Sequence, residues 1–245
     1  NIVYSDSSYS EVDKWTKGQL HSNQAYAAMV RDLDISIGNL LNAYDDLDLR
    51  SNTYVILISD NGGMPVLPQK VNRGMPYQPG LNSPLLRGKW DLMEGGIRIP
   101  FAVFGPNISQ SSQSDEPVVT HDILPTLADL SGSVGEVGED IEGVSLVPLL
   151  RQIDIKVDRA FDSLVFHYPH YNLVGMSEPH SAIRSGDYKL IDFPVSDRQL
   201  LFNINKDIGK ISNQKIRDNL KLCFSSMLSS VSRMIPGDEK KVQGR

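Results

Sequence analysis

Thr53-Tyr54-Val55-Ile56-Leu57-Ile58-Ser59-Asp60-Asn61-Gly62-Gly63 is the stretch on which the reading of this chain turns. Its β-branched and aliphatic run lacks polar alternation, which suits a strand buried on both faces, as in the central sheet of an α/β protein. Asp60 and Asn61 then fall at the carboxyl end of that strand, where open α/β sheets gather their ligands. One offers a carboxylate and the other a carbonyl oxygen, both hard donors suited to Ca²⁺ or Mg²⁺. Gly62 and Gly63 let the backbone turn away without a Cβ clash. The same residues also read as an Asx turn closing a strand. Two donors, moreover, fall short of the roughly six to eight that Ca²⁺ takes.

Upstream, residues from Asn23 to Tyr44 form an amphipathic pattern, with Ala27, Val30, Ile37 and Leu41 on one face. Asn23 or Ser22 is placed to cap that helix, and Asp45, Asp46 and Asp48 mark its exit. Helix, short turn and apolar strand make the α/β rhythm. Downstream, 7 of the 19 glycines and 6 of the 14 prolines lie between Gly62 and Pro100. Trp90, Leu92, Met93 and Ile97 are interleaved there and need burial, so the segment reads as an ordered functional loop. Within it Lys89 stands among small residues and can present three N–H donors to a phosphate or sulfate oxygen. Solvated loop charge is the bland reading of Arg87, Lys89 and Arg98, and Glu94 with Arg98 could equally form an ion pair.

Ile99 to Phe104 is a second apolar strand, closed by Gly105-Pro106. Thr120 or Asp122 opens a helix carrying Ile123, Leu124, Leu127 and Leu130, with Pro125 in its first turn. Leu146 to Leu150 reads as a short helix. Beyond Arg151 the pattern shifts to short strands near 164–167, 181–184, 188–191 and 199–202. Ser185-Gly186-Asp187 joins the middle two as a hairpin. A last helix is expected over 211–231, carrying Cys223 on its apolar side as a core thiol. The chain therefore divides into an α/β part, residues 1–152, and a small α+β part, residues 153–245.

Composition narrows the function classes. Of the 245 residues, 24 are Lys or Arg and 30 are Asp or Glu, for a net charge of −6. That balance argues against nucleic acid as the main partner and against a polybasic membrane-surface role. No run approaches the ~18 apolar residues of a membrane span. The single cysteine permits no internal disulfide. Among the histidines, His167-Tyr168-Pro169-His170-Tyr171 is aromatic-rich and suits either a sugar-binding rim or a packing cluster. His180 and His121 read as turn and helix-start residues, and His21 has no chemical partner that the sequence identifies.

Ser59-Asp60-Asn61-Gly62, Asn82 to Lys89, Glu94-Gly95-Gly96-Ile97-Arg98-Ile99-Pro100 and His121-Asp122-Ile123-Leu124-Pro125-Thr126-Leu127 together resemble the formylglycine-dependent type I sulfatases in order and spacing. So do residues 140–150 and Ile183 to Ile191. The resemblance implies an alkaline-phosphatase-like α/β sandwich, here partial, followed by a small C-terminal antiparallel sheet with a helix. It implies that Asp60 and Asn61 hold a divalent metal, usually Ca²⁺, and that Lys89 contacts the sulfate ester. His167 and His170 are then candidates for the substrate rim.

In that family a hydrated formylglycine attacks sulfur, and its precursor is a cysteine in a C-x-P-S-R type motif. Leu222-Cys223-Phe224-Ser225 does not match it. An upstream Asp-Asp metal pair and further Lys and His residues of the family have no counterpart either. The expectation is a C-terminal portion of a sulfatase, with Asn1 a truncation boundary, some core surface uncovered, and no turnover by this chain alone. The partner would be a sulfated small molecule or glycan. Family members are commonly exported, to periplasm, exterior or lysosome. A phosphodiesterase or phosphonate hydrolase of the same superfamily is the alternative enzyme, and a non-catalytic glycan-binding pseudoenzyme is the alternative of another class.

Overall fold

The computed structural model describes residues 24–64, 82, 85–133, 138, 141–172, 178–205 and 207–210. The helix expected over 211–231 with Cys223, the proposed caps Ser22 and Asn23, and His21 lie outside the described residues. Two compact units emerge: the stretches within 1–60 and 99–160 make the first, and those within 61–98 and 161–245 the second. The described residues of 61–98 thus belong with the C-terminal sheet, and the expected boundary at 152–153 falls inside the first unit.

In the first unit, α1 (Gln24–Asp46) is followed by a 3₁₀ turn, Leu49–Ser51, and by β1 (Val55–Ile58). The helix buries Ala28 and Tyr44. Tyr44 also donates its hydroxyl to the Thr53 carbonyl at 3.0 Å, and its ring meets Phe104 edge-on at 6.1 Å. One side chain thereby fixes the helix over the strand pair. Helical propagation stops at Asp48, whose φ of 53° is left-handed.

Strand β1 pairs antiparallel with β2 (Phe101–Phe104), Val55 opposite Phe104 and Ile58 opposite Phe101. Among the described residues this sheet has two strands. Burial of β1 on both faces is therefore not seen, and Leu57 is 41% exposed. A strand is enclosed only when neighbours and covering layers flank it, and here β2 alone pairs with it. Val30, Leu33 and Leu40 of α1 are exposed as well, as are Leu124 and Leu127, so apolar surface stands uncovered in this unit.

A 3₁₀ turn, Thr120–Asp122, runs into α2 (Ile123–Ser131), which ends at Gly132 with φ 78°, a left-handed stop open to glycine. A single-turn helix, α3 (Val147–Leu150), follows with Pro148 early in it. Asp122 is fully buried and organises this corner. Its carboxylate accepts the N–H groups of Val119 at 2.9 Å and Val144 at 3.1 Å, and pairs with both terminal nitrogens of Arg159. Burial pushes its pKa up, but the hydrogen bonds from Arg159, Val119 and Val144 outweigh that and hold it below its ordinary value.

The second unit is built on a five-stranded antiparallel meander: β3 (Leu164–Tyr168), β4 (His180–Ser185), β5 (Tyr188–Phe193), β6 (Arg198–Asn203) and β7 (Asp207–Lys210). Four of these strands follow the sequence pattern, and β7 is a fifth that the pattern does not predict. Ser185 opposes Tyr188, so Gly186-Asp187 is a two-residue turn, with Gly186 at φ 54° as the primed turn types require. Alternation then sorts the side chains. Ala182, Ile191, Phe193 and Phe202 pack with Leu92 and Met93 of the loop, while Ile183, Leu190 and Leu201 cluster apart from them. Burial of each such aliphatic side chain contributes about 1.5–3 kcal/mol, so the loop–sheet cluster outweighs any single surface contact.

Candidate functional site

The loop that the sequence singles out is folded tightly onto Gly62 and Gly63. Gly62 donates its N–H to Gly96 O at 2.8 Å, and Lys89 donates its N–H to Gly63 O at 3.0 Å. Asn82 spans the turn with its side-chain amide, donating to Gly63 O at 2.9 Å and Arg87 O at 2.7 Å. These contacts bring Lys89 to the backbone two residues beyond Asn61. The packing admits no side chain at the glycines: a Cβ on Gly62 would lie 1.8 Å from Gly95 O, and one on Gly95 2.2 Å from Arg87 O. The Glu94-Gly95-Gly96 sequence is thus a steric requirement of the loop, within a single helical turn, Glu94–Ile97.

Arg87 and Trp90 adopt φ of 61° and 80°. Non-glycine residues in that region store roughly 1–3 kcal/mol each and persist only where surroundings over-determine them. The surroundings here include an ion pair, Arg87 Nε to Asp91 Oδ2 at 2.6 Å, with the Asp91 side chain fully buried. Asp91 also accepts the Met93 N–H through Oδ1 at 2.9 Å. Arg87 is therefore committed to holding the loop, and Arg98 is exposed. Glu94 does not pair with Arg98. Its partner is Lys189 of β5, Nζ to Oε1 2.8 Å, because alternation along β5 sets Lys189 on the face of Ile191 and Phe193 that the loop covers.

Lys89 differs from these cations. It is partly exposed, its Nζ lies 5.9 Å from the Trp90 ring centroid, and no ion pair to a carboxylate engages it among the described residues. Asp60 is exposed at the end of the first unit's strand. Asn61 next to it donates its Nδ2 to Gly62 O at 2.9 Å. Adjacent carboxylate and amide oxygens fit a hard divalent cation in type. In number they do not complete a site: no group of three or more His, Cys, Asp or Glu is gathered among the described residues.

The histidines separate in space. His167 is exposed and bonds Ser181 Oγ through Nδ1 at 2.6 Å, and by strand alternation it shares the face of Ile183, opposite Leu92 and Met93. His170 is exposed, set edge-on to Tyr168 at 5.5 Å. Two residues on, Asn172 donates to the Trp90 carbonyl at 3.2 Å, which brings the segment after His170 beside the Lys89 loop. His180 is no turn residue. It begins β4 fully buried, 5.4 Å from the Phe193 ring and 5.3 Å from the Tyr168 ring. Its Nε2 accepts the Leu92 N–H at 3.2 Å, so Nδ1 carries the proton and donates to Glu178 O at 2.8 Å. Burial holds its pKa below the ordinary value of 6.5.

A family model described as "Sulfatase" matches residues 3–133, and one described as "N-sulphoglucosamine sulphohydrolase, C-terminal" matches 88–234. A curated sulfatase of Formosa agariphila is 31% identical over 210 residues, covering 79% of this chain and 35% of that protein. Human steryl-sulfatase is 34% identical over 144 residues, covering 58% of this chain and 24% of that protein. A solved structure described with its substrate D-glucosamine-2-N,6-O-disulfate superposes with a TM-score of 0.68 at 24% identity, covering 89% of this chain and 42% of that one. The chain thus spans about a quarter to a third of the length of these curated relatives.

Proposed function

The chain belongs to the sulfatase family, and on that premise we propose that it carries the lysine-and-metal side of the site of a sulfuric ester hydrolase. The observation that carries this reading is the setting of Lys89. It is a partly exposed ammonium, unpaired with any described carboxylate, on a loop where Arg87, Asp91 and Glu94 are engaged in ion pairs that hold it. As a sulfuryl group transfers, its oxygens need a cation already in place, and a pinned loop presents one without reorganising during the reaction. Lys89 supplies N–H donors to one such oxygen. Asp60 and Asn61 are the residues that would hold a divalent cation, Ca²⁺ by family habit, whose Lewis acidity supplies further charge neutralisation there.

The formylglycine nucleophile is not provided by this sequence, because its one cysteine, Cys223, lacks the C-x-P-S-R setting. For the substrate we favour a sulfated carbohydrate, with Trp90, His170 and Tyr171 offering flat surface beside Lys89. Tyr171 is 69% exposed, and a sugar ring packs well on such a face. His167, on the other face of the sheet, would need a substrate reaching around the edge. An exported setting goes with the same reading.

In the intact protein, Lys89→Ala should lower kcat/KM for an aryl sulfate by about 10²–10³, the usual cost of one transition-state donor. A loss under about threefold overturns the assignment. Faster turnover of an aryl phosphonate ester than of the sulfate would move the reading to a phosphonate hydrolase. Tight sulfated-glycan binding without turnover would move it to a binding protein.

A further inference from the structure

The Lys189–Glu94 pair is a buried ionic contact that neither substrate binding nor metal binding uses. Lys189 is 2% exposed and Glu94 7% in their side chains, with Nζ and Oε1 2.8 Å apart. The void beside them, lined by Leu86, Met93, Phe202 and Ile204, has a volume of ≈ 10 Å³, about one water and too small for a substrate group. The pair is therefore walled off from ligand. Stability does not explain it, since apolar residues of similar volume commonly do as well or better than a buried ion pair. A buried pair does fix geometry, because either charge left alone in that apolar setting is strongly unfavourable.

Its two ends are informative. Lys189 stands on β5, the central strand of the meander, hydrogen-bonded on both edges to β4 and β6. Glu94 opens the helical turn five residues beyond Lys89, and the next residue, Gly95, donates to Leu86 O at 2.8 Å, three residues before it. We propose that Lys189 and Glu94 are a positioning pair, which sets the height of the Lys89 loop above the sheet and so holds the Lys89 ammonium where the sulfate group is met. The proposal rests on the assignment of Lys89 to the sulfate. His180 on neighbouring β4 makes a second pin through Leu92 N–H, so loss of the ion pair frees the 93–97 side of the loop more than its centre.

Amide hydrogen exchange on the 245-residue chain tests the hold itself. Lys189→Met alone leaves Glu94 buried and unpaired and is prone to unfold, so the deciding variant is Glu94→Gln with Lys189→Met. Exchange at the amides of Lys89, Gly95 and Gly62 should quicken by about tenfold or more while Ile183, Leu190 and Leu201 stay protected. In the intact protein the same double variant should lower kcat for an aryl sulfate about tenfold with KM little changed. Exchange that rises equally in loop and sheet, or that stays unchanged in the loop, overturns the proposal, as does an unchanged kcat. If Lys89→Ala proves harmless to turnover, the sulfate assignment falls, and the exchange experiment still shows whether the pair holds the loop.

Discussion

Asp122→Asn removes one charge and leaves a shape nearly unchanged, which makes it a clean probe of the first unit. The wild-type carboxylate accepts four hydrogen bonds, from Val119, Val144 and two Arg159 nitrogens, with no exposure of its side chain. Each oxygen accepts two of the four, and an asparagine has one oxygen and an NH₂ that can only donate, so two of these donors lose their acceptor. Arg159, 12% exposed, also keeps its charge without a counter-charge. Breaking a buried pair from one side costs about 3–5 kcal/mol. With a urea slope of about 2 kcal/mol per M for this size, the midpoint of the first unit should fall by about 2 M, followed by far-UV circular dichroism. Asp122→Asn with Arg159→Met should recover part of the loss, because the unpaired charge goes with it.

Acid supplies an independent arm. The Asp122 pKa lies below its ordinary value of 3.8, so its contribution is present above that value and disappears as pH falls through the lower folded-state pKa. The variant should lack this loss. A midpoint shift below about 0.3 M, or a double variant no more stable than the single one, would refute the reasoning.

Three other outcomes follow from the site. His180 has its folded pKa lowered, so protons bind the unfolded chain more readily below 6.5, and the second unit should lose stability as pH falls from 7.5 to 5. The groups around it include Asp91, Arg87 and Glu178; His180→Phe should flatten this dependence in thermal melts, at a cost of about 1–3 kcal/mol for the orphaned Leu92 N–H. Gly95→Ala meets Arg87 O at 2.2 Å and Leu86 O at 2.4 Å and should cost about 1–3 kcal/mol, whereas Gly132→Asn, at a left-handed stop with open space around it, should be tolerated within about 1 kcal/mol. Asp60→Ala should weaken Ca²⁺ binding by the intact protein about tenfold or more in calorimetry, and unchanged affinity would count against the ligand assignment.

Much of the fold was legible because its signals are local. Periodicity placed α1 within two residues of its observed ends, and Gly186 announced a primed turn that requires positive φ. The burial of β1 was misjudged for the opposite reason: a run such as Val55 to Ile58 says that a strand can be enclosed, not that neighbours are present to enclose it. Strand β7 went unseen because Asp207 to Lys210 is short and not apolar, and it exists by pairing with β6. Lys189 was within reach. A lysine in register with Ile191 and Phe193 on an alternating strand must face the core, and a core lysine needs a carboxylate.

For the site, a strand end and a glycine-flanked lysine made Asp60, Asn61 and Lys89 candidates beside an Asx turn and solvated loop charge, and the resemblance to sulfatases supplied their expected roles. Which cation would be left for a ligand was not readable. Arg87, Lys89 and Arg98 look alike in sequence, and so do Asp91 and Glu94 as their partners. Packing takes Arg87 out of that set by burying Asp91 against it, and joins Glu94 to a lysine 95 positions away instead of to Arg98. Charge pairing in a folded chain is set by which groups lose water together. That is a property of three-dimensional contact, and only the tertiary structure could assign it.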